Sequence, residues 1–103
     1  MDSMDDGGPH DFDQLPGHEI IGAGLADLDR GDADTIPALV VAVGASRLKS
    51  VGLRLPHDLP ADPERRLYAR LSAEHGDAAH GEYNALIRRL VSFERAAERA
   101  ARR

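Results

Sequence analysis

The sequence predicts an all-α fold, a small bundle of about four helices that closes with an antiparallel helical hairpin. Three observations carry this. Ala79, Tyr83, Leu86, Leu90, Phe93, Ala97 and Ala100 repeat at spacings of 4, 3, 4, 3, 4 and 3, an apolar seam sustained over three heptads. Asp62-Pro63-Glu64 is a helix start, and Gly76-Asp77 is a two-residue break between two amphipathic stretches. Asp34-Thr35 with Pro37 forms a second start signal, since a proline in the first turn forfeits no helical hydrogen bond.

Taken in chain order, residues 1–16 hold five Asp and no Lys or Arg. Such a segment buries too little to offset its ordering entropy, so it is expected to be a disordered acidic leader ahead of a single helical domain, 17–103. Phe12 and Leu15 are the leader's candidates for a short anchor on that domain. From Gly17, Ile20, Ile21, Leu25 and Leu28 recur at helical spacing, and Gly31 is a natural stop. Gly22 and Gly24 each weaken that helix by roughly 1 kcal/mol relative to Ala, so it must lean on its neighbours.

Asp34 or Thr35 then caps the run Ala38–Val43. Val40, Val41 and Val43 are β-branched and suit a strand, but the cap and Pro37 favour helix. Gly44 breaks the run, Ser46 is positioned to cap a short segment to Val51, and Gly52 ends it. Leu53–Pro60, with two prolines, reads as an extended connector. Leu67, Tyr68 and Leu71 give the next helix its stripe, Gly76 stops it, and Asp77 is expected to cap the last helix, which runs to about Ala101.

Composition narrows the function classes. The chain has 103 residues, 42% hydrophobic and 30% charged, typical of one small globular domain. With no cysteine there is no disulfide, thiolate ligand or cysteine nucleophile. The longest apolar run is six residues, Ala38 to Val43, against about 20 for a membrane span, so no membrane role is expected. The opening Met1-Asp2-Ser3-Met4-Asp5-Asp6 lacks a basic-then-apolar signal, which places the chain in the cytoplasm by default. The net charge of −5 conceals a split: residues 1–34 hold ten acids and one base, residues 35–103 eight acids and twelve bases. The split suits either interaction surfaces of opposite sign or an acidic, solubilising leader ahead of an ordinary domain, and the leader is the better account.

Two motifs invite comparison. Ile20-Ile21-Gly22-Ala23-Gly24-Leu25-Ala26-Asp27 resembles the opening of the dinucleotide fingerprint in flavin-binding Rossmann domains, which implies a strand turning into a pyrophosphate-binding helix. Asp27 stands where the third glycine belongs, and the acid expected about 20 residues on would fall near Arg47. A small-residue helix face that permits close packing is the better account. Val43-Gly44-Ala45-Ser46-Arg47-Leu48-Lys49-Ser50-Val51 resembles the turn and recognition-helix start of helix-turn-helix repressors, which implies phosphate and base contacts by Arg47 and Lys49. Gly52 cuts that helix after about two turns, and the chain is not basic overall.

No catalytic constellation is legible. The serines lack a nucleophile-elbow context, and His75, His80 and Glu82 make no recognisable ligand set. Hence neither a cofactor nor a metal is expected. Arg88, Arg95, Arg99 and Arg102 fall within about 60° of one another opposite the seam, a stripe suited to an anionic partner and offset by Glu94 and Glu98.

The leading expectation is therefore a small non-enzymatic protein that associates with itself or another protein, through Tyr83, Leu86, Leu90, Phe93 and Ala97. The helix from Asp62 is shorter than the last one, so Phe93 to Ala100 overhangs unless the Ile20–Leu28 or Ala38–Val43 helix covers it. An uncovered overhang would require a homodimer or partner. The alternatives are a DNA-binding regulator using Arg47, Lys49 and the Arg stripe, and a metal- or ligand-binding domain around His75, His80 and Glu82.

Overall fold

The computed structural model describes residues 12–102. Among them are α1 (His18–Asp29), α2 (Ile36–Val43), the short α3 (Ala45–Ser50), α4 (Pro63–His75) and α5 (Ala79–Ala101), with no strand. This is the all-α bundle that the periodicity predicts, with the α4–α5 hairpin at its end.

α2 is the centre. Ala38, Leu39, Val40, Val41 and Ala42 are all buried, so the helix is apolar on every side because every side has a neighbour. α1 packs against one flank and α4 against another. Burial overrides the strand preference of its three valines. Of its two candidate caps, Thr35 is the one used: its Oγ1 accepts from the Ala38 amide at 3.1 Å and donates to Asp27 Oδ2 at 2.7 Å. Asp27 also pairs with Arg30. The residue that breaks the dinucleotide fingerprint thus ties the end of α1 to the start of α2. Gly22 and Gly24 lie inside α1, so no strand-to-helix turn exists there. Asp34 instead faces Arg66 and Arg70 of α4, at 3.7 and 3.9 Å.

Two caps differ from expectation. α3 begins at Ala45 after Gly44, leaving Ser46 exposed one residue inside it. Gly76, at φ 56°, stops α4, but the chain continues through a 3₁₀ turn, Gly76–Ala78, straight into α5. The cap position therefore falls on Ala78, and Asp77 caps nothing.

The leader divides as well. Phe12 and Leu15 are half-buried against the core, and the Phe12 ring lies 5.9 Å from that of Phe93. Packing thus reaches five residues ahead of Gly17. The rest of the acidic leader, 1–11, lies outside the described residues. No helix among those described is long and apolar enough to cross a membrane.

Candidate functional site

Four of the five seam residues expected to meet a partner are interior. Leu86, Leu90, Phe93 and Ala97 are buried within the single chain. The overhang is covered in part by α2, one of the two helices expected to do so, which packs on α5, and in part by Phe12, a cover the spacing did not reveal. Phe12 lies on Phe93, while Gly44, at the α2–α3 corner, approaches α5 so closely that a Cβ there would sit 2.7 Å from Leu90 Cδ1. Only Tyr83 reaches the surface, and it does so in company. Its ring lies 5.6 Å from that of Tyr68, which in turn lies 6.5 Å from His80. Tyr68 is 39% exposed, the large apolar side chain left open among the described residues. Burial, then the nearby Glu64 charge, pushes the Tyr83 phenol above its ordinary range. Asn84 and His80, one helical turn apart, share a hydrogen bond of 3.2 Å.

The stripe of Arg88, Arg95, Arg99 and Arg102 is exposed, and none of the four pairs with a carboxylate among the described residues. Of the acids expected to offset it, Glu98 feels the charges of Arg102 and Arg95 but bonds to Arg47, and Glu94 is turned to Arg47 alone. Glu98 takes two hydrogen bonds from Arg47, at 2.7 and 3.3 Å, and Glu94 is buried with its carboxylate 3.5 Å from the same guanidinium. Arg47 is thus a clasp between α3 and α5, and of the two residues assigned to DNA contact only Lys49 is unengaged among the described residues. His75, His80 and Glu82 are all exposed, and no three His, Asp or Glu side chains among the described residues gather as metal ligands would.

The clasp has a pH signature. Burial raises the Glu94 carboxyl above its usual range, with Arg47 opposing that shift, whereas the bonds from Arg47 lower Glu98. A carboxyl raised in the folded state binds more protons folded than unfolded. Glu94 therefore costs stability as pH climbs through the interval above the ordinary carboxylate range, and acidification relieves that cost. Glu98 works oppositely: its contribution is present above the ordinary range and fades as pH falls through its lowered value. Arg47→Ala leaves Glu94 buried without its cation. The variant should melt at a lower temperature than the parent at pH 7, with the gap narrowing at pH 5. Melts at both values check this, and an equal gap would show that Glu94 does not titrate in the clasp.

The sequence placed Glu94 beside the arginines and Tyr68 in an apolar stripe, and missed that Glu94 is buried and Tyr68 open. At about 100° per residue Glu94 stands beside Phe93 on the seam's margin, which was a usable signal. Nothing local distinguishes Tyr68 from other flanking residues of α4. No protein-family model matches this chain, and no curated protein or solved structure is significantly similar to it.

Proposed function

We propose that this chain is a non-enzymatic helical module that works by protein association, and that a second copy meets it across the Tyr68–Tyr83 face of the hairpin. The exposure of Tyr68, its ring tilted against that of a half-buried Tyr83, carries this reading. Tyrosines give large, amphipathic contact area at low entropic cost and are enriched at interfaces. The same face of α4 holds Glu64, Tyr68, Ser72 and His75 at spacings of 4, 4 and 3, all exposed. Antiparallel pairing of two such helices brings Glu64 of one copy near His75 of the other, so the face complements itself as a two-fold interface requires.

Light scattering across a concentration series tests it. The mass should rise from 11.1 kDa toward twice that value, and Tyr68→Arg should hold the chain at the monomer mass with an unchanged helical spectrum. A monomer at every concentration, or a dimer indifferent to Tyr68→Arg, defeats the proposal.

A further inference from the structure

α1 packs on α2 and stands away from the C-terminal half of α5, and a groove of about 630 Å³ lies between them. That volume falls within the range of about 300–1,000 Å³ common for small-molecule sites. Gly22 and Leu25 border it from α1 and Ala100 and Ala101 from the end of α5, over a buried floor of Ile21, Phe93 and Ala97, with Leu53 and Phe12 also lining it. Three charged or titratable side chains border it: Asp13, His18 and Arg54. Arg54 also borders a second, smaller cavity beside Leu25, Ala26 and Asp29, which places it toward the C-terminal end of α1. Asp13 is five residues before His18 and so belongs to the opposite end. His18 pairs with Glu19 at 3.7 Å, whereas no carboxylate among the described residues lies within 4.0 Å of the Arg54 guanidinium.

Gly22 completes the picture. It lines the groove, and a Cβ built on it finds no atom within 4 Å. The first glycine of the Gly-Ala-Gly run is therefore not required by helix packing, and its lack of a side chain keeps the groove open.

We propose that this groove binds an apolar carboxylate of fatty-acid type, its chain lying between Gly22 and Leu25 of α1 and Ala100 of α5 and its carboxylate meeting Arg54. An apolar trough with one cation at an end selects a ligand that is apolar along its length and anionic at one terminus. The face is distinct from the Tyr68–Tyr83 surface, and either proposal stands without the other.

The test is titration of sodium decanoate into the full-length, ¹⁵N-labelled protein, followed by amide chemical shifts. Saturable shifts should centre on Gly22, Leu25 and Ala100. Octanoate should bind on the order of tenfold more weakly, the effect of losing two buried methylenes. 1-Octanol, equally long but uncharged, should bind about fivefold more weakly than octanoate, and Arg54→Gln should erase that preference. Gly22→Leu fills the trough from an open position, so it should abolish the shifts while melting at or above the parent temperature. Absence of saturable shifts, shifts centred on the Tyr68 face, equal binding of octanol and octanoate, or undiminished binding by a folded Gly22→Leu would each overturn the assignment.

Discussion

Replacing Phe93 with alanine should lower the free energy of unfolding by about 4 kcal/mol, the cost of deleting a fully buried aromatic ring from a packed site. Phe93 is 1% exposed and among the largest of the fully buried side chains. It is where α5 meets the N-terminal segment, through the Phe12 ring and the backbone at Gly17. Collapse into the void is hindered because helical backbone and a second ring line it. Domains of this size are stable by roughly 5–15 kcal/mol, so the variant should remain folded but marginal. Urea unfolding followed by far-ultraviolet circular dichroism checks the figure. A loss below about 1 kcal/mol would mean that Phe93 is not interior. Run on the Tyr68→Arg variant at several protein concentrations, the same titration should give one midpoint, since the seam is buried within the chain; a midpoint that shifts would place it between chains.

Gly24→Val should cost about 3 kcal/mol, while Gly22→Ala, two residues away, should stabilise by up to about 1 kcal/mol. Both glycines lie within α1 and look alike in sequence. A Cβ on Gly24 would press into the carbonyl of Pro37 and lie 2.5 Å from Val41 Cγ2. Val41 is buried with little room to turn, and the Pro37 carbonyl is backbone, so α1 and α2 would have to separate. Gly22 faces open space, so a methyl there adds helix propensity without a clash. Thermal melts of the two variants beside the parent decide the matter. Equal effects of the same sign would show that α1 does not cross α2 at Gly24.

The small-residue face inferred from the Gly-Ala-Gly run was thus half right, and the half that differs is instructive. Close packing needs one glycine and the groove uses the other, yet both carry identical local signals. Asp27 teaches the same lesson. As a departure from the dinucleotide fingerprint it weighed against nucleotide binding, but its bond to Thr35 depends on the turn that brings α2 back beside α1. Glu94 and Glu98 were expected to screen the arginine stripe; Glu98 does so in part, near Arg95 and Arg102, but both carboxylates make their ion pairs with Arg47, some fifty residues earlier in the chain.

What the sequence by itself determined is where helices begin, end and turn their apolar sides: Thr35 and Pro37 before α2, Gly76 after α4, the heptad seam along α5. These are local effects, set by caps, by glycine backbone freedom and by the 3.6-residue repeat within a turn or two of each residue. Tertiary structure alone decided which glycine is crowded, which carboxylate is buried, which tyrosine is exposed and where a groove remains. Each of those depends on which helix α2 finds on either side of it, and that choice is made by contacts between residues far apart in the chain, where one-dimensional spacing carries no distance.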